Sequence, residues 1–219
     1  MPFIIRSLIV IGMLASVSVT DVLADSEACT GISSTSVLCE FLTTVDSYSA
    51  EFTQVLVDEQ GELLEESAGQ LWLEKPGRFR WHYAEPWERL IVANETSVWL
   101  YDAELEQVTL RAADGAIEQT PAGLLAGNTA ALADFSITTV NGTEGLSVVT
   151  LVPLTDSGDF REMILSFTAG ELASLSLQDR FGQRTVITLH KVDRNPVLAA
   201  ELFNFIIPEG VDVINQTTN

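Results

Sequence analysis

Histidine, cysteine and carboxylate side chains build most catalytic and metal sites, and their spacing in this chain singles out no such site. His82 and His190 have no cysteine or histidine near them at metal-ligand spacing, so zinc is not expected. Each falls instead on the polar side of an alternating pattern. The Asp and Glu residues number 31 and can always supply a pair in three dimensions, as a glycosidase needs, but no spacing marks one pair out. The chain lacks G-x-S-x-G, a Gly-rich phosphate loop and H-E-x-x-H. Cys29 and Cys39 would lie roughly 15 Å apart in one continuous helix, too far to bridge. Gly31 and the serines after it leave room for the chain to turn back first, so a disulfide and two unpaired thiols both stay open. Without a C-x-x-C pair, the cysteines would form a staple and not a redox site. The expectation is therefore a protein that is not an enzyme and needs no metal or cofactor.

What the sequence does concentrate is aromatic surface. All four tryptophans, Trp72, Trp81, Trp87 and Trp99, fall between Gly69 and Tyr101. Phe79, Trp81 and Tyr83 alternate with Arg78, Arg80 and His82, which predicts a strand with three aromatics on one face. Leu71 and Leu73 flank Trp72 in a preceding strand, Lys75-Pro76-Gly77 supplies the turn, and Glu85-Pro86 ends the second strand.

The elements around this hairpin follow in order. Residues 1–24 read as a secretory signal: Arg6, an apolar run over 8–19, and small residues before a cut ahead of Asp25. The run is about a dozen residues, short of the roughly 20 that span a bilayer. Cys29 follows a charged stretch rather than the cut, so no lipid attachment is expected. Residues 25–219 then form one domain. Ser33, Ser34, Thr35 and Ser36 offer N-caps for a helix running to about residue 47, with Val37, Leu38, Phe41, Leu42 and Val45 on its apolar face. Strands are predicted over 48–57, 89–93, 97–101, 107–111, 135–140, 146–153, 162–168, 172–179, 184–192 and 202–207, besides the hairpin. Thr120 and Pro121 start a short helix that Gly127 and Asn128 stop. About eleven strands are enough to curl, and an unclosed antiparallel β-barrel with short helices across its opening would enclose an apolar cavity. The helix over 120–126 is either a movable lid or a fixed plug.

The formal net charge is -20. Such a field repels nucleic acid and anionic lipid surfaces, and it serves either solubility or a basic partner.

Several stretches in order resemble one family: F-T-Q from Phe52, G-Q-L-W-L-E-K-P-G-R-F-R-W-H-Y from Gly69, E-R-L-I-V from Glu88, V-W-L-Y-D from Val98, L-E-Q-V-T from Leu105, T-P-A-G-L-L-A-G from Thr120 and I-P-E-G-V-D-V-I from Ile207. They look like the periplasmic outer-membrane lipoprotein carrier family, LolA. The resemblance implies an unclosed β-barrel with a helical lid. It also implies a periplasmic, monomeric carrier that takes acylated lipoproteins from an ATP-driven inner-membrane transporter and hands them to an outer-membrane receptor. Lys75 stands where the family has an arginine that latches the lid, and Phe79 where it has a phenylalanine used in transfer. Trp72, Trp81 and Trp99, with Leu124 and Leu125 of the lid, are the remaining candidates for the cavity lining. A carrier of another lipid, or a lipid-sensing module, would carry the same pattern.

Overall fold

The computed structural model describes residues 36–113, 121–127, 129–155 and 160–216. Residues 1–24, Cys29, Thr120, Asn128 and residues 156–159 lie outside them. Twelve strands form one sheet: β1 (Ser47–Val57), β2 (Leu63–Glu74), β3 (Arg78–Glu85), β4 (Arg89–Ala93), β5 (Ser97–Asp102), β6 (Gln107–Ala112), β7 (Phe135–Asn141), β8 (Leu146–Pro153), β9 (Phe160–Thr168), β10 (Glu171–Asp179), β11 (Arg184–Arg194) and β12 (Asp212–Asn215). Their spatial order is β12-β6-β5-β4-β3-β2-β1-β11-β10-β9-β8-β7, so β7 and β12 are edges and the sheet is not closed into a barrel. Helix α1 (Val37–Thr44) and the short α2 (Pro121–Leu125) pack on one face, called inner below.

Three expectations need correction. The first helix stops at Thr44, because Asn195 accepts hydrogen bonds from the backbone N–H groups of Asp46 (2.7 Å) and Ser47 (3.3 Å) and its side-chain amide donates to the Thr44 carbonyl at 3.0 Å. These contacts satisfy backbone groups at a helix end and turn the chain into β1. Residues 202–207 do not form a strand. Instead a 3-10 helix, Ala200–Phe203, presses Phe203 onto the outer face, where it is buried. The last strand is Asp212–Asn215, and it pairs with β6 in parallel, so the sheet is antiparallel everywhere but there.

The inner face follows from the register. Phe52 of β1 stands opposite Gly69 of β2 and Leu189 of β11, and Leu71 of β2 stands opposite Trp81 of β3. Side chains in phase with these, on the same face, are Tyr48, Leu73, Phe79 and Tyr83 of β1–β3, and Met163, Leu165 and Leu175 of β9 and β10. Helix α1 contributes Leu38, Phe41 and Leu42 to the same cluster. Phe41 meets Tyr48 edge-on at 5.5 Å and Phe167 at 5.8 Å between centroids. Buried Tyr48 donates from its hydroxyl to the Leu172 carbonyl at 3.1 Å, which keeps a polar group satisfied inside this core.

Gly69 fits the sheet where no other residue does: a Cβ there would sit 1.9 Å from the His82 carbonyl oxygen and 3.0 Å from the Phe52 ring. The sheet pairing of β2 with β3 shifts at this point, and Phe52 lies over the gap.

Candidate functional site

The inner face at the hairpin carries a cluster of rings, Trp81 and Tyr83 stacked and Phe52 of β1 tilted or edge-on against them. Phe52 lies 5.3 Å from Trp81 and 5.1 Å from Tyr83 between centroids, and Trp81 lies 6.4 Å from Tyr83. Phe79 and Trp81 are both buried there, and Leu124 and Leu125 of α2 belong to the same cluster. Trp72 and Trp99 do not join them. Trp72 pairs with Arg80 and Trp99 with Val92 and Leu110, all on the opposite phase of the pleat, so both indoles lie on the outer face. The outer face also buries Leu90, Val92 and Val108, and Phe203 beside β3. There Arg80 donates to the Leu202 carbonyl at 3.2 Å, and the Arg78 guanidinium sits 5.5 Å above the Phe203 ring.

Two inner-face polar atoms are buried without a hydrogen-bond partner among the described residues, the Trp81 indole Nε1 and the Ser67 hydroxyl. Orphan polar atoms are rare in folded interiors because each costs about 1–3 kcal/mol. Both stand on the face that α1 and α2 cover.

Lys75 sits at the turn between β2 and β3, where Gly77 donates its N–H to the Ala126 carbonyl at 2.8 Å. The Lys75 ammonium donates to the Leu42 carbonyl, one of the open acceptors at the end of α1. Its contact with the segment after α2 is made by the stem: a Cβ on Gly127 would lie 3.0 Å from Lys75 Cγ and 3.2 Å from Cδ. Gly127 has φ +102, a backbone conformation that glycine enters without strain. Burial holds the Lys75 pKa below its ordinary value, with Arg194 adding to this and Asp46 opposing it. One side chain thus joins α1 through a charged hydrogen bond and the segment after α2 through methylenes.

At the opposite end of the same face is a cavity of about 410 Å³. Tyr83, Ile91 and Leu100 give it an apolar floor, and Gln54, Glu65, Arg89 and Asp102 give it a polar rim. Arg89 pairs with Glu65 at 3.7 Å and with Asp102 at 3.6 Å. The Tyr83 hydroxyl donates to Gln54 at 3.1 Å. Burial, and then the Glu65 carboxylate, push the Tyr83 phenol up to about 12. Among the described residues no group of His, Cys, Asp and Glu is placed to hold a metal ion, and no helix is long and apolar enough to cross a membrane.

The family model for "Outer membrane lipoprotein carrier protein LolA" matches residues 43–206. The chain belongs to the LolA family. The outer-membrane lipoprotein carrier protein of Methylobacillus flagellatus is 38% identical over 80% of this chain and 86% of its own length. That of Pseudomonas aeruginosa is 41% identical over 82% and 86%. A crystal structure of an uncharacterized conserved protein from Thermus thermophilus has a TM-score of 0.50 at 17% identity, covering 81% of this chain and 98% of that one, a likeness of fold.

Within this LolA-family chain, the sequence pattern draws attention to the hairpin but not to its partners. Tyr48 and Phe52 complete the inner face, and Glu65, Arg89 and Asp102 meet at its rim. The signal for the first pair was available, since Tyr48, Ala50, Phe52 and Gln54 alternate along one strand. Nothing in the spacing of the three rim charges announces their meeting. Cys39 lies buried on α1, and no free thiol is present among the described residues. Its proposed partner Cys29 falls outside them.

Proposed function

We propose that this chain is a periplasmic carrier of acylated lipoproteins, exported by its first 24 residues and acting as one monomeric domain over residues 25–219. It accepts its cargo from an ATP-driven inner-membrane transporter and passes it to an outer-membrane receptor. The observation that carries the reading is the inner face itself: a continuous apolar surface from Phe79 and Trp81 to Leu165 and Leu175, covered by two short helices in a sheet with free edges. An acyl chain of about 15 methylenes costs roughly 12 kcal/mol to expose to water, so a carrier must give it a dry surface. The present cavity has the size of a site for one small ligand, about 300–1,000 Å³. Three chains need α1 and α2 to move off the face. Lys75, which touches both helical segments, is the latch for that movement, and the chemistry is binding and release without turnover. The disulfide between Cys29 and Cys39 would fix the start of α1.

The test uses purified protein lacking residues 1–24, added to ATP-supplied inner-membrane vesicles that contain labelled triacylated lipoprotein. A soluble one-to-one complex of label and carrier is the expected result. If label stays in vesicles whose transporter releases it to another carrier, the lipoprotein role is wrong, and lipid recovered from the native protein identifies a different cargo.

A further inference from the structure

We propose that the Glu65–Arg89–Asp102 cluster makes the rim of the inner face selective for acyl chains on an uncharged head group and turns away lipids with an anionic one. The inference rests on the lipid-carrier reading and adds what the carrier refuses.

The cavity joins an apolar floor to a charged rim, which is the shape of a site for a chain with a head group. The floor takes methylenes. The rim has two carboxylates and one guanidinium, so its own charge is negative. Arg89 is already engaged on both sides, by Glu65 and by Asp102, at a half-exposed rim, and meeting a phosphate would draw it away from one of these carboxylates. A phosphate or free carboxylate held there also faces those same two acids at short range. Esters and amides meet no such penalty, because they bring acceptors without charge. The orphan Trp81 indole N–H and Ser67 hydroxyl on the same face are polar atoms of the kind that ester or amide carbonyls can satisfy. An acyl-glyceryl thioether has such an uncharged junction, whereas the phospholipids that surround it in a membrane carry a phosphate. Discrimination by a built-in repulsion is effective because attraction to the chain is common to both lipids.

The experiment compares two probes with brominated acyl chains, a synthetic triacylated cysteine peptide of zero net charge and phosphatidylglycerol, by quenching of tryptophan fluorescence. The wild-type protein is expected to prefer the neutral peptide by about tenfold at low salt, with the preference narrowing as salt screens the rim. Glu65→Gln with Asp102→Asn should abolish the preference, with phosphatidylglycerol binding strengthened more than peptide binding. Arg89→Gln should sharpen it. The proposal is overturned if the double variant keeps the wild-type ratio, if its ratio falls only through weaker peptide binding, or if Arg89→Gln also relaxes selectivity. Palmitate as a third probe separates a rule against any anion from one against phosphate. If the wild type binds none of the probes, the carrier reading itself fails and selectivity fails with it.

Discussion

Lys75 joins two helical segments by two different forces, and substitutions can divide them. Lys75→Met keeps the stem that lies against Gly127 and removes the ammonium that donates to Leu42. A hydrogen bond from a charged group contributes about 1.5–3 kcal/mol, but here burial disfavours the charge and offsets much of it. The net loss should be about 1 kcal/mol. Lys75→Ala also removes the two methylenes that approach Gly127, at about 0.8 kcal/mol each, for a total near 3 kcal/mol. Opening of α1 and α2 should therefore rise about fivefold in the first variant and about a hundredfold in the second. Hydrogen exchange of the Gly77 and Ala126 amides reads that equilibrium, since the first bonds to the end of α2 and the second within it. The folded pKa of Lys75 lies below 10.5, so between the two values the unfolded chain binds more protons and wild-type stability rises with pH relative to Lys75→Met. Below the folded value both states are protonated and the difference is flat. Equal opening in the Met and Ala variants would refute the division between stem and charge. A difference that falls toward pH 10.5 would refute the burial argument.

Gly69→Ala places a methyl 1.9 Å from the His82 carbonyl oxygen, so β3 must shift, and chemical denaturation should show a loss of about 3 kcal/mol. Phe203→Ala removes a fully buried ring from the outer face and should cost about 3–5 kcal/mol while leaving acyl-probe binding by the folded protein unchanged; weaker probe binding would mean the two faces are coupled. The Tyr83 phenol should titrate near 12 by ultraviolet absorbance and move down in Glu65→Gln, because the carboxylate holds part of the shift. Its raised value makes the folded state bind more protons above pH 10.0, so this residue's contribution to stability is lost as pH rises from there toward about 12.

Strands were legible wherever alternation and turn residues coincided. Residues 89–93 and 146–153 match β4 and β8 end for end, and the hairpin breaks at Lys75-Pro76-Gly77 as its turn chemistry requires. Facing was not legible. Trp72 lies between Leu71 and Leu73, and a phase change of one residue sends a side chain through the sheet, so aromatic character alone could not say that Trp72 and Trp99 point outward. The register of Leu71 with Trp81 decides it. The C-terminal segment misled for a related reason: Leu202, Phe203, Phe205 and Ile207 have strand-like composition, but Phe203 and the Leu202 carbonyl are used as a plug on the outer face. Pairing fell instead to Asp212–Asn215, whose four side chains are all exposed and leave no burial pattern to read. The rim charges come from three strands, and only the assembled order of β2, β3, β4 and β5 brings them together.

The closed inner face also sets how tightly a carrier of this build can hold lipid. On the carrier reading proposed above, loading would exchange one apolar contact for another, with α1 and α2 leaving the face as chains arrive. Re-exposing Leu124 and Leu125 costs about 1.5–3 kcal/mol each, so the lid opposes loading by about 3–6 kcal/mol through these two residues. One acyl chain gains roughly 12 kcal/mol on leaving water. Capture from water is thus strongly downhill, but the lid's own burial is subtracted from the grip. A receptor whose apolar site is already formed would have no such subtraction, and cargo would move to it without any further energy source. On that reading the closed, self-packed core would make release possible, and filling the cavity better, for example with Leu100→Phe on its floor, should slow loading before it affects the final hand-over.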